Sequence, residues 1–219
     1  MELWTMWTHG LQATLGYLSL HFGLSEAVSI IVLTLIARVA MMPISLTAAY
    51  RSQKNKDALE RIKPALDELR KTYQDNPSEL ATRTMALYRE NGITFLDKVS
   101  MVNMGAQGVF GLGVFQCLKR TVFNSKFLWI PNLAKPDFML TVLVGALMVL
   151  GMALMPVAAT NASMLTMMAI SVMVSIFAIA ALPSALGIYW ATSNAVTVVQ
   201  TLALRGLLAR ITPQVATNS

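Results

Sequence analysis

Apolar runs long enough to cross a bilayer recur along the chain, and the first of them, 29–43, carries Arg38 in its inner half. A hydrocarbon core takes about 20 apolar residues per helical span, so the runs divide into about five helices of that size. A guanidinium in hydrocarbon costs roughly 2.5–3.5 kcal/mol even on the lenient insertion scale, so a chain that keeps one there is expected to use it. The remaining sequence agrees with a membrane solvent. Of 219 residues 55% are hydrophobic and 13% charged, and the mean hydropathy of +0.57 lies outside the range of a soluble domain.

Residues 1–24 are expected to form an amphipathic helix in the interface. Trp4, Trp7, Leu11, Leu15 and Leu18 recur at helical spacing opposite His9, Gln12 and Ser19. Residues 1–23 contain no Lys or Arg, so they lack the charged start of a secretory leader and are taken as part of the mature chain. Ser25 is the expected N-cap of the first span, 25–47, with Glu26 in its first turn where the helix dipole favours a carboxylate. Pro43 is expected to kink or end it.

Between 48 and 92 the composition inverts, with nine Lys and Arg alternating with Asp and Glu from Arg51 to Glu90. Leu59, Ile62, Leu66, Leu69 and Tyr73 form one apolar stripe, Asn76-Pro77-Ser78 supplies a turn and a new cap, and Leu80, Leu87 and Tyr88 continue the stripe. This pattern predicts a helical hairpin in water with a coiled-coil-like seam. A second span follows at 95–118, in which Gly105, Gly108, Gly111 and Gly113 are expected to let neighbouring backbones approach. A loop at 119–137 holds Lys119, Arg120, Lys126, Lys135 and an interfacial Trp129. Spans at 138–156, 164–182 and 184–204, a link at 157–163 and a tail at 205–219 complete the chain. The fold class is an all-α integral membrane protein of five transmembrane helices, a cytoplasmic helical hairpin and an N-terminal interfacial helix.

Lys and Arg are concentrated in the hairpin and tail and missing from 1–23, which puts the N-terminus outside and the C-terminus in the cytoplasm. The four cations of the 119–137 loop then sit outside, against that rule.

Three environments are open to Arg38: a buried acid, the inner interface reached past Pro43, or a water-filled cavity between helices. Outside the hairpin the acids are Glu2, Glu26, Asp97 and Asp137, all near segment ends, which disfavours an ion pair. The cavity is favoured by other polar groups at depth: Thr34 one turn earlier on the same face, Asn103 and Gln107 on the second span, and Thr192, Ser193, Asn194, Thr197 and Gln200 on the fifth. Each alone would merely bond across helices; together they suggest a hydrophilic groove. No enzyme constellation accompanies it. His9 and His21 fall outside the spans, no Cys/His set has metal spacing, and the single Cys117 lies in an apolar run. No cofactor and no metal are expected.

Residues 29–45 (SIIVLTLIARVAMMPIS), Ile62-Lys63-Pro64 with Met85-Ala86-Leu87-Tyr88, the loop Phe127-Leu128-Trp129-Ile130 through Leu133 to Pro136-Asp137, and Pro183-Ser184-Ala185-Leu186-Gly187-Ile188-Tyr189-Trp190 through Ser193-Asn194 to Gln200 together resemble the YidC/Oxa1/Alb3 family of membrane protein insertases. The resemblance spans nearly the whole chain in order. It is nearer the bacterial branch, without the large periplasmic domain of Gram-negative members or the lipoprotein cysteine of Gram-positive ones. It implies a five-helix core with a groove open to cytoplasm and lipid and closed to the outside, in which Arg38 supplies the positive charge. Thr34, Tyr189 and Trp190 match groove or substrate-contacting positions. The second span departs from the family pattern at Thr94-Phe95-Leu96-Asp97-Lys98 and Met104-Gly105-Ala106-Gln107-Gly108.

The function expected is insertion of small membrane proteins in the bacterial inner membrane, through a groove of Arg38, Thr34, Asn103, Gln107, Tyr189, Trp190, Asn194 and Gln200, without nucleotide hydrolysis. Its partners would be nascent or newly made membrane proteins and the lipid bilayer. A ribosome, a targeting receptor and a Sec-type channel stay open, and no nucleic-acid specificity is expected. The alternative from another class is a non-catalytic assembly factor or stable complex subunit docking through the glycine-rich second span. A small-solute transporter is disfavoured because no inverted repeat is evident.

Overall fold

The computed structural model describes residues 2–94, 97–154 and 162–211. Within them the chain forms α1 (Glu2–Phe22), α2 (Glu26–Thr72), α3 (Pro77–Glu90), α4 (Lys98–Arg120), α5 (Phe138–Leu154), α6 (Ala162–Ala180) and α7 (Ser184–Ile211). Among the described residues, strand-like pairing is confined to one isolated bridge, Phe127–Ile130. α2 and α4 are long and apolar enough to cross a bilayer, while α5 and Thr166–Ala180 are shorter apolar helices. The link expected at 157–163 lies outside the described residues up to 161, as do Phe95, Leu96 and the tail beyond 211.

The first span and the first arm of the hairpin are one helix of 47 residues. Ser25 caps it, its hydroxyl accepting from Val28 N at 3.4 Å, as its residue type predicts. Pro43 does not end it; the helix continues through both Pro43 and Pro64. A proline removes one backbone donor, and packing on both sides of the gap outweighs that loss. The preceding turns pack on α7 and α4, and Ser45, two residues beyond, donates to Asn103 Oδ1 at 2.9 Å.

The hairpin closes through Ile62, Leu66 and Ile93, with Ala58, Leu59, Leu87 and Tyr88 around them. Leu69, Tyr73 and Leu80 remain half-buried beyond this cluster, so the packed seam is shorter than the stripe in sequence. Asn76 caps α3 by accepting from Glu79 N at 3.2 Å, with Pro77 in the first turn. Asp97 caps α4, accepting from Val99 N at 2.7 Å and Ser100 N at 2.9 Å, and it pairs with Arg51 of α2 at 3.4 Å. That cap sets the start of α4 at Lys98 rather than 95.

The helical core is built on α7, which packs against α5 and α2, while α4 packs on α2 and α6 on α5. Two glycines allow close approaches, of α7 to α5 and of α4 to α1. A Cβ on Gly187 would lie 2.6 Å from Leu140 Cδ2, and one on Gly113 would overlap Trp7 Nε1 and lie 2.9 Å from Leu11 Cδ1. Gly105 and Gly108, expected to serve the same purpose, meet nothing within 4 Å among the described residues.

α1 docks on α4 and α2 through its predicted stripe. Leu11 and Leu18 are buried, Trp4 and Leu15 are half-buried, and Trp4 Nε1 donates to Gln116 Oε1 at 2.8 Å. The stripe therefore rests on protein, and the outward face carries Leu3, Met6, Leu20 and Phe22 beside Glu2, His9 and Gln12.

Two outcomes follow. Gly105→Ala, with open space around it, is expected to gain up to about 1 kcal/mol of helix propensity, whereas Gly113→Ala is expected to lose about 1–3 kcal/mol by displacing Trp7 and Leu11. Melting temperatures in mild detergent compare the two. Hydrogen bonds, chiefly from Ser100 N, hold the Asp97 carboxyl below its ordinary pKa. Its contribution to stability is thus present above that ordinary value and is lost as pH falls through the depressed one. Acid unfolding of Asp97→Asn, whose amide oxygen still caps α4, is expected to lack this component.

Candidate functional site

Arg38 lies on α2 about 18 Å along the axis from Glu26, at 1.5 Å per residue. Its side chain is half-buried and turns inward between α4 and α7. Nε donates to Ser193 Oγ at 2.9 Å, Nη2 donates to the same oxygen, and Nη1 donates to Gln107 Oε1 at 2.8 Å. Among the described residues Arg38 makes no ion pair, so its charge is met only by neutral dipoles. Of the three environments open to it in sequence, the side chain occupies the interhelical cavity.

The acceptors are themselves held. Gln107 Nε2 donates to Asn103 Oδ1 at 3.1 Å, and Ser45 Oγ donates to that oxygen at 2.9 Å. A chain of side-chain hydrogen bonds therefore runs from Ser45 through Asn103 and Gln107 to Arg38 and Ser193, joining α2, α4 and α7. Such networks orient their members more firmly than isolated pairs do.

Beside the guanidinium is a cavity of about 230 Å³ lined by Arg38, Met41, Gln107, Phe110, Met148, Tyr189, Trp190, Ser193 and Asn194. One wall is aromatic. The Phe110 and Tyr189 rings lie 6.2 Å apart, and Trp7 meets Phe110 edge-on at 6.3 Å. A Cβ at Gly111 would come within 3.1 Å of the Tyr189 hydroxyl, so glycine makes room for that side chain. Asn194 Nδ2 donates to Trp190 O at 2.8 Å, which holds the amide against its own helix. A cationic donor, amides, a hydroxyl and apolar walls can receive a polar or acidic segment without covalent chemistry. Among the described residues no three His, Cys, Asp or Glu side chains group to hold a metal.

Of the residues singled out in sequence, Arg38, Gln107, Tyr189, Trp190 and Asn194 share this cavity, and Asn103 supports it one turn behind Gln107. Thr34 and Gln200 do not line it. Thr34 is 1% exposed and its hydroxyl donates to Ile30 O at 2.7 Å, so it belongs to the packed core. Gln200 lies two turns beyond Ser193, with its amide nitrogen buried and without a hydrogen-bond partner among the described residues. Ser193, named in sequence among the polar groups at depth but not in the expected groove set, belongs to the site. It follows Tyr189 by one helical turn, as Asn194 follows Trp190, and that spacing would have selected it. Met41, Phe110 and Met148 carry no signal in sequence apart from hydrophobicity.

Water is the expected substitute wherever a protein acceptor is removed from this cavity, since its volume exceeds the roughly 30 Å³ share of a liquid water several times over. Gln107→Leu and Ser193→Ala are each expected to cost less than about 1 kcal/mol of folding free energy, against roughly 1.5–3 kcal/mol for a charged hydrogen bond lost in a dry site. Denaturant titration in detergent measures the difference.

The chain also resembles known proteins. A family model described as 60Kd inner membrane protein matches residues 17–210. A membrane protein insertase YidC 1 of Listeria monocytogenes is 31% identical over 210 residues, covering 90% of this chain and 71% of the relative. A membrane protein insertase YidC of Fusobacterium nucleatum is 30% identical over 177 residues, covering 79% and 82%. One from Helicobacter pylori is 26% identical over 213 residues, covering 93% of this chain and 37% of the relative.

Proposed function

The chain belongs to the 60Kd inner membrane protein (YidC/Oxa1) family, and from that membership we propose how this membrane protein insertase moves its substrates. Its substrates are membrane proteins and its solvent is the lipid bilayer. The proposed route begins with an acidic or polar segment of a small membrane protein entering the cavity beside Arg38. The segment exchanges part of its hydration for the guanidinium and the amides of Gln107 and Asn194, which shortens the apolar barrier ahead of it.

The substrate's apolar helix then leaves sideways into lipid. Its burial supplies the driving force at about 25 cal/mol per Å2 of apolar surface. A membrane potential adds about 2.3 kcal/mol per charge per 100 mV for an acidic segment moving outward. No covalent step and no nucleotide hydrolysis take part. The observation that carries this reading is a cation without an ion-pair partner among the described residues, hydrogen-bonded to neutral groups at the edge of a cavity.

In this proposal α2, α4, α5, α6 and α7 supply five spans, with the N-terminus outside and the hairpin and tail in the cytoplasm. The orientation is supported by the Lys and Arg of the hairpin and by their absence from 1–23. The hairpin's exposed charges suit reception of substrate from a ribosome or targeting receptor, or contact with a Sec-type channel. Asn103 positions Gln107, while Thr34 and Gln200 border the groove's supporting helices without touching substrate.

Proteoliposomes carrying wild type, Arg38→Ala or Arg38→Lys test the route with a single-span substrate bearing an acidic N-terminal tail. Loss of about 1.4 kcal/mol of attraction is expected to slow insertion by Arg38→Ala about tenfold at equal levels of folded protein. Arg38→Lys is expected to retain most of the rate if charge matters more than the guanidinium fork. Wild-type rates from Arg38→Ala would overturn the mechanism.

A further inference from the structure

The segment between α4 and α5 packs onto one end of the bundle. Phe123, Ile130 and Leu133 are buried, Ala185 N donates to Leu133 O at 3.1 Å, and Ser184 N donates to Lys135 O at 3.0 Å. Phe127 and Ile130 exchange both backbone hydrogen bonds, at 2.9 and 2.8 Å, which leaves Leu128 and Trp129 as a two-residue tip.

Leu128 has φ of 51°, and among the described residues it alone combines a positive φ with a side chain. In a two-residue loop a positive φ at the first central position is the place of glycine, because a Cβ crowds the backbone there. A bulky leucine in that conformation is strained. Packing within the protein does not explain it, for Leu128 is 74% exposed and Trp129 beside it 46%. The indole N–H of Trp129 donates to Asp137 Oδ1 at 3.2 Å, which fixes the polar edge of a ring that remains half outside.

Lys119, Arg120, Lys126 and Lys135 flank this tip in sequence, all exposed, and none forms an ion pair among the described residues. The Lys119 ammonium lies over the Phe115 ring, 5.9 Å from its centroid. The nearby carboxylates already have donors: Asp137 accepts from Trp129 and Leu140 N, and Glu26 accepts from Ser125 N and Oγ. Two large apolar side chains thus project from a rigid turn flanked by four cations and two carboxylates, a net positive surround, in a protein whose solvent is a bilayer.

We propose that the Leu128–Trp129 tip is a lipid anchor. Both side chains enter the interfacial layer of the leaflet at this end of the bundle, and the flanking cations hold anionic phospholipid headgroups around them. Burial of the leucine in lipid offsets its backbone strain, and the headgroup phosphates pair with cations that form no ion pair among the described residues. The same arrangement accounts for four cations in a loop where the orientation rule disfavours them. It is independent of the groove and of the substrate route proposed for it.

The full chain in phosphatidylcholine nanodiscs doped with either brominated phosphatidylcholine or brominated phosphatidylglycerol tests the anchor. The Trp129 signal is the difference between wild type and Trp129→Phe. Quenching is expected from both lipids and more strongly from phosphatidylglycerol, with the excess lost in the combined Lys119→Gln, Arg120→Gln, Lys126→Gln variant. Leu128→Gly, which suits the positive φ, is expected to keep or raise the melting temperature while reducing Trp129 quenching. A fall in melting temperature with Trp129 quenching unchanged would show that Leu128 serves the fold and would overturn the anchor. Equal quenching by the two lipids would overturn headgroup recognition. No quenching by either, the result for a tip reserved for a protein partner, would overturn the proposal outright.

Discussion

A guanidinium donating to Ser193 and Gln107 is the interaction around which α2, α4 and α7 are arranged. It joins three helices far apart in sequence at the edge of a cavity with room for water, and it does so without an acid among the described residues. A buried carboxylate would neutralise the charge and close the space between the helices. Neutral acceptors instead satisfy the donors geometrically and leave the positive charge available. The same choice that permits α2, α4 and α7 to meet keeps a cavity electrostatically open.

The remaining packing follows from holding that cavity. Gly111 clears room for Tyr189, Phe110 bridges Tyr189 to Trp7, and Gly113 lets α1 settle on the far side of α4. α1 is thereby more than a membrane-surface helix: its apolar stripe supports the helix that carries Gln107. On the opposite side, Gly187 brings α7 against Leu140 of α5 and fixes the wall to which Met148 contributes.

Much of this was legible in the sequence. Arg38 stood out because a charge in an apolar run is expensive, and Gln107, Asn103 and Asn194 stood out because amides there are uncommon. Residues whose role depends on three-dimensional packing were less legible. Thr34 shares Arg38's helix face in a linear reading, yet its hydroxyl is bonded to its own backbone and its methyl is packed. Ser193 is a commonplace residue whose importance comes from an arginine far away in sequence. The continuity of α2 was hidden for a related reason: proline is a local signal to stop, and contacts made by distant helices outweigh it. The glycines of α4 looked alike in sequence, but only Gly111 and Gly113 face a close neighbour.

The uninterrupted course of α2 has a mechanical consequence. At 1.5 Å per residue its 47 residues make a rod of about 70 Å, with the groove cation in its upper part and the seam residues Ile62 and Leu66 far below. A force on the hairpin is therefore transmitted along hydrogen-bonded backbone, as by a lever jointed where donors are missing, at Pro64 within the hairpin and at Pro43. Because the Pro43 joint lies only five residues past Arg38, a small swing of the hairpin changes the tilt of the helix turn that aims the guanidinium. Whatever grips the distal arm thus has a direct handle on the charge inside the membrane.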